Sequence, residues 1–141
     1  MRKNLNLLLA FAVCALCAPG VQAGTPESAA FIDRGRSLFD FGRWTDARHE
    51  FLQARETLSP ADRGSVYAND VRFSLGSYYC AEGDMKRARE AFEKTDYKAL
   101  GRARKEQYDV RMGYVEFTDG DYDKAFGYFD RIGPQSEYAD H

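Results

Sequence analysis

A six-residue pattern occurs three times in this chain: Gly-Arg-Trp-Thr-Asp-Ala from Gly42 to Ala47, Gly-Asp-Met-Lys-Arg-Ala from Gly83 to Ala88, and Gly-Asp-Tyr-Asp-Lys-Ala from Gly120 to Ala125. Each copy reads glycine, any residue, a large apolar residue, two polar residues, alanine. A phenylalanine follows on the next helical turn every time, as Phe51, Phe92 and Phe129, and another glycine stands seven residues before each copy, as Gly35, Gly76 and Gly113. Three copies of one unit restrict the chain to architectures in which each unit is a small supersecondary element stacked on its neighbours.

The residues also say what the unit is. Two glycines seven apart, with apolar residues between them and no strand-like alternation, fit a helix that ends at the second glycine. Glycine adopts the left-handed conformation that other residues avoid, so it suits that C-terminal turn. Asp84 and Asp121 then stand where an N-cap accepts a hydrogen bond from the free amides of a second helix, and the first copy has Arg43 at that place. Alanine and phenylalanine four apart share one face of that helix, the small residue allowing a partner helix to approach and the large one filling the space beside it. The expected unit is a helical hairpin, and the expected fold class is all-α.

These features resemble the tetratricopeptide repeat, whose signature includes Leu-Gly, a tyrosine three residues on, Ala-x-x-x-Phe and a closing proline. The second copy carries Leu75-Gly76, Tyr79, Gly83, Ala88 and Phe92. The first has Phe31 at the tryptophan position and Pro60 near its end, but Arg34 precedes Gly35 and Leu38 replaces the tyrosine. The third has Met112-Gly113, with Glu116 in place of the tyrosine and Asp109 at the tryptophan position. The resemblance implies antiparallel helix hairpins stacked as a right-handed α-solenoid over residues 29–133, divided at about 29–60, 61–97 and 98–133. The period departs from the family's usual length of about 34 residues: Gly42 to Gly83 is 41 and Gly83 to Gly120 is 37. Because the intra-copy glycine spacing stays at seven, the extra residues fall between hairpins, and increments near whole turns suggest longer helices. The first helix of the second copy is accordingly expected to begin near Ala61. Sel1-like repeats, which vary inside the hairpin, rank second.

The ends carry a different signal. Met1-Arg-Lys is basic, Leu7 to Leu16 is an unbroken apolar run of ten, and Val21-Gln22-Ala23 offers small residues at the positions a signal peptidase reads. That tripartite pattern is a secretory signal peptide over residues 1–23, cleaved after Ala23 and too short to span a membrane. Neither Cys14 nor Cys17 follows a lipobox, so an exported, periplasmic or envelope-associated product without a lipid anchor is expected. Residues 24–28 read as a flexible leader. Residues 134–141, beginning at Pro134, read as the start of a further, truncated helix, which leaves the last hairpin without a cap and allows self-association there.

Removal of the signal takes Lys plus Arg from 20 to 18 against 22 acids, a net charge of −4 with histidine neutral. Such a mildly acidic surface argues against nucleic acid or anionic lipid as a partner. Cys80 is then left alone, so the mature monomer has no intrachain disulfide; it reads as a small buried helix residue, or as a thiol exposed on the binding face or pairing with another chain.

Chemistry is thinly supplied. The two histidines are His49, on a helix face, and His141, at the chain end, and no nucleophile-base arrangement can be built around them. Asp119, Asp121, Asp123 and Asp130 outline a calcium loop only superficially, because Lys124 stands where that loop requires glycine. They read instead as capping and solvated acids. Lys86-Arg-Ala-Arg89 and Arg102-Ala-Arg-Lys105 read as exposed faces paired with Glu90, Glu93 and Glu106. No catalytic residue, metal site or cofactor is expected.

What the resemblance does imply is a concave surface lined by the first helix of each pair. Carried through Gly35, Gly76 and Gly113, its lining positions are Ile32, Arg36 and Phe39, then Phe73, Ser77 and Cys80, then Val110, Tyr114 and Phe117. This apolar and aromatic strip with one cation suits a peptide or helix of a protein partner, with Arg36 available for a carboxylate. The expected function is a non-enzymatic protein-interaction scaffold of the cell envelope. The alternatives are an N-terminal piece of a larger exported repeat protein or enzyme whose active part lies elsewhere, and an accessory factor of outer-membrane assembly, against which the missing lipobox speaks.

Overall fold

The computed structural model of the protein describes residues 26–136 and residue 138; the expected signal peptide, its expected cleavage site and His141 lie outside the described residues. Six helices follow one another: α1 (Pro26–Asp40), α2 (Trp44–Thr57), α3 (Val66–Ala81), α4 (Met85–Glu93), α5 (Arg102–Thr118) and α6 (Tyr122–Phe129). Two 3-10 turns, Pro60–Gly64 and Tyr97–Ala99, connect α2 to α3 and α4 to α5. Among the described residues there is no strand, so the fold is all-α.

Each hairpin turns by the same backbone device. Gly42, Gly83 and Gly120 have φ of 74°, 80° and 82°, and they are the glycines in the left-handed region among the described residues. In the first turn the amide of Gly42 donates to the Phe39 carbonyl and that of Arg43 to the Leu38 carbonyl, both at 2.9 Å. The same two bonds recur at Gly83 and Asp84 and at Gly120 and Asp121, satisfying carbonyls that a helix end would leave open. The next residue caps the second helix. Asp84 accepts from the Arg87 amide at 3.1 Å and Asp121 from the Lys124 amide at 3.3 Å, whereas Arg43 makes no side-chain cap.

Within each hairpin the phenylalanine lies against the first glycine. A methyl group placed on Gly76 would come within 2.7 Å of the Phe92 ring, and Gly35 and Gly113 meet Phe51 and Phe129 in the same way. Ala47, Ala88 and Ala125 are buried beside these contacts. The separation from glycine to phenylalanine is 16 residues in every copy, so one steric fit sets the register of all three hairpins. Two cores join the hairpins. Ile32, Phe51, Ala54, Val71 and Leu75 close the first, from α1, α2 and α3; Phe73, Phe92, Leu100, Tyr108, Met112 and Val115 close the second, from α3, α4 and α5. α3 therefore buries both sides, which explains its nearly unbroken run of buried residues from Phe73 to Tyr78.

Three expectations about boundaries are corrected. α1 begins at Pro26 rather than after Ser28, because proline is tolerated in a first helical turn and the buried Ser28 hydroxyl hydrogen-bonds Thr57 at 2.7 Å. The seven extra residues of the second copy do not extend its first helix. Ser59 and Asp62 form a capping box for a 3-10 turn, and Ser65 starts α3 afresh by accepting from the Ala68 amide at 3.2 Å. The third unit, expected to run to residue 133, ends its α-helix at Phe129: the amides of Arg131 and Ile132 donate three residues back, to Tyr128 and Phe129, which tightens the last turn before Gly133-Pro134.

Candidate interaction face

α1, α3 and α5 contact one another in sequence, as α1 with α3 and α3 with α5, and their register-equivalent positions are where the lining was expected. Arg36, Phe39, Phe73 and Ser77 come together with Arg104, Gln107 and Arg111 of α5 around a concavity of about 230 Å³. Cys80, Val110 and Tyr114 come together around a second, more apolar one of about 260 Å³, closed by Phe129, Ile132 and Tyr138 and sharing Arg111 as a wall. The nine positions do not all face outward. Ile32 is 2 % exposed inside the first core, and Phe73 and Ser77 are also buried, the Ser77 hydroxyl donating to the Phe73 carbonyl at 3.0 Å. Phe117 is exposed and stacks edge-on with Tyr122 at 5.3 Å, toward the turn end of the third hairpin.

The electrostatics change which cation is available. Arg36 is already engaged: its Nη2 lies 3.1 Å from Asp70 Oδ2 and its Nη1 3.7 Å from Asp33. The Arg36–Asp70 contact is an ion pair without hydrogen-bond geometry, since the same buried Nη2 has no directed partner. Asp70 also takes Arg104, so one carboxylate on α3 ties α1 to α5. Arg111 differs from both. It makes only long contacts to Gln107, 3.5 Å to the carbonyl and 3.4 Å to Oε1, and no carboxylate of the described residues pairs with it. Its guanidinium stands 5.9 Å from the centre of the Phe73 ring. Burial pushes its pKa down, against the opposing pull of Tyr138, Cys80 and Asp40, which means a half-desolvated cation short of counter-charge.

Cys80 is a free, half-buried thiol whose pKa burial raises to about 11, with Arg111 opposing. His49 is exposed on α2. Asp121 is spent on capping α6 and on Lys124, and Asp119 pairs with Arg89. Among the described residues no group of histidine, cysteine and carboxylate side chains is placed to hold a metal ion, and no helix is long and apolar enough to cross a membrane.

Sequence reasoning missed Arg104 and Arg111, and it placed Arg89 on a solvated face. In fact Arg89 reaches the next hairpin, where Nη1 sits 3.1 Å from the buried Glu116. The available signal was register. Arg111 stands one position after Val110, an expected lining residue, and Arg104 lies two turns before it on the same helix. No family model matches this chain, and no curated protein or solved structure matches it either.

Proposed function

We propose that the chain is a non-enzymatic protein-interaction scaffold, a tetratricopeptide-like right-handed α-solenoid of three hairpins that holds a segment of a partner protein against α1, α3 and α5. The observation that carries this reading is the concavity where Phe39 and Phe73 stand beside Arg111, a cation with no carboxylate within ion-pair distance among the described residues, Asp40 of the same lining acting on it only from farther off. A bound segment with an apolar or aromatic side chain and a nearby carboxylate would complete both halves, because a partly desolvated guanidinium gains most from a bidentate anion. Tyr114 extends the apolar wall toward the third hairpin. The three left-handed glycines and the repeated glycine–phenylalanine fit support the repeat reading. The basic, apolar and small-residue sections of residues 1–23 support export to the cell envelope.

Capture experiments test this directly. The mature chain, residues 24–141, is immobilised and exposed to envelope extract beside the Phe39→Ala/Tyr114→Ala double variant and Arg111→Gln, each checked for unchanged helical circular dichroism. Partners that bind the inner face are lost from the double variant and reduced with Arg111→Gln. Undiminished capture by the double variant would overturn the assignment of this face.

A further inference from the structure

The outer stripe of the third hairpin repeats an interface that the first two hairpins have already filled. In the second hairpin Met85, Arg89 and Phe92 form the stripe of α4 that receives α5: Met85 packs into the core that holds Tyr108 and Met112, Arg89 pairs with Glu116, and Phe92 stacks on Tyr108 at 5.3 Å. In the first hairpin Arg48 of α2 reaches over the Tyr78 ring of α3 in the same register. The equivalent residues of α6 are Tyr122, Phe126 and Phe129. Tyr122 is 55 % and Phe126 64 % exposed, and Phe129 is only half-buried although its counterparts Phe51 and Phe92 are fully buried.

Two features define what belongs there. The helices that cover the equivalent stripes present apolar residues at i, i+4 and i+7, as Val71, Leu75 and Tyr78 or as Tyr108, Met112 and Val115. The position held by arginine in the first two copies is phenylalanine in the third, so the cover must be apolar at its centre. At 100° per residue Asp123 and Asp130 fall one residue past Tyr122 and Phe129 along a single border of the stripe, and both are exposed. That border calls for cations.

We propose that α6 is a docking site for an amphipathic helix of a partner protein, apolar at i, i+4 and i+7 and bordered by lysine or arginine. This site is centred on Phe126, which lines neither inner hollow, although Phe129 at its edge also closes the second hollow; it stands whether or not the inner face binds a peptide. A second copy of this chain is the poorer occupant. The first hairpin offers Arg34, bonded to Glu50 at 2.9 Å, and the exposed Ser37 where α3 and α5 have Leu75, Met112, Tyr78 and Val115. A face-to-face antiparallel pair of α6 helices would set its acidic borders against each other.

The chain's own α5 sequence, residues 102–118, supplies a probe once Glu116→Leu and Asp109→Lys remove the two carboxylates that pair with Arg89 and Arg131 in the folded chain, since it then combines the apolar triplet with Arg102, Arg104, Lys105 and Arg111. Fluorescence anisotropy of a labelled peptide of that sequence is measured against the mature chain, with Phe126→Asp and Asp123→Asn/Asp130→Asn as variants. Saturable binding, weakened at least ~30-fold by Phe126→Asp and made less salt-sensitive by the double asparagine variant, is the expected result. Tyr114→Ala leaves this binding unchanged, which separates it from the inner face. Binding indifferent to Phe126→Asp overturns the proposal. So does an absence of peptide binding by a chain that sediments as a dimer and becomes monomeric on Phe126→Asp, because the stripe would then be a self-association face. Phe126 is a solvent-facing side chain, so the variant keeps its fold, and circular dichroism checks this.

Discussion

Glycine does two different jobs in each copy, and single substitutions tell them apart. Gly83 needs freedom of φ, at 80°, and a Cβ there would meet nothing. Gly83→Ala therefore costs about 1 kcal/mol of backbone strain, and Gly83→Asn recovers part of it because asparagine tolerates that region. Gly76 needs absence of volume, and a methyl group would press on the Phe92 ring. Gly76→Ala costs about 1–3 kcal/mol as overpacking, and Phe92→Leu in the same chain relieves that clash, so urea denaturation of the double-mutant cycle shows strong coupling at Gly76 and none at Gly83. Cys80 gives a second test at this scale. With the thiol pKa at about 11, roughly one part in a thousand is thiolate at pH 8. Disulfide-exchange reagents therefore react slowly with the native protein and at the ordinary rate in denaturant. A fast native reaction would mean that the thiol is not desolvated as the fold places it.

Helices show where local rules are obeyed and where one is broken. The backbone at Arg43, with φ −84° and ψ 63°, nearly matches Asp84 at −83° and 75° and Asp121 at −87° and 74°, so α2 has the geometry of a capped helix without the capping oxygen. Arg43→Asp is expected to stabilise the protein by about 0.5–1 kcal/mol. That is the gain left after losing the exposed Arg43–Asp46 pair at 2.7 Å, which is worth a few tenths at most. Thermal unfolding measures it, and a fall in Tm would show that the pair outweighs the cap. α5 makes a prediction about alkali. Burial, aided by Tyr128, Asp109 and Glu93, raises the Tyr108 phenol to about 12, with Arg131 opposing. The neutral phenol is thus the form the fold favours, and the stability it lends is complete below the unfolded value near pH 10. It is lost as pH climbs from there toward 12. Tyr108→Phe gives up the 3.3 Å bond to the Phe92 carbonyl and moves the alkaline unfolding midpoint upward, an outcome that circular dichroism against pH follows. These hairpins were legible in the sequence because their turns, caps and glycine–phenylalanine fit are local. The connections between them were not: Ser59-Pro60 and Gly64-Ser65 read equally as helix starts and stops, and a Ser59–Asp62 capping box that opens a 3-10 turn has the same residue pattern as one that opens an α-helix.

Across the whole molecule, cohesion between hairpins rests on the two cores and on charges that cross from one unit to the next. Those crossings escaped sequence reading for a physical reason: Arg104 finds Asp70 34 residues away and Arg89 finds Glu116 27 residues away, distances at which helical spacing says nothing. Phe39 and Tyr114 line the hollows, whereas Ile32 became core and Arg36 became structural. Asp70 is the pivot of this arrangement, since it neutralises Arg36 from α1 and Arg104 from α5 together. Asp70→Asn keeps the shape and removes the charge, leaving two guanidiniums facing each other beside Arg111. With all three partners partly solvated, the loss is about 1–2 kcal/mol rather than the full cost of a buried pair. The sign of the salt response then reverses. Wild-type stability falls modestly as salt screens the Asp70 pairs, while phosphate or sulfate raises the Tm of the variant by occupying the vacated position between the arginines. Sodium chloride and sodium sulfate titrations at equal ionic strength separate screening from site binding, and equal responses of the two proteins to sulfate would show that Asp70 does not hold the three inner helices in their present relation.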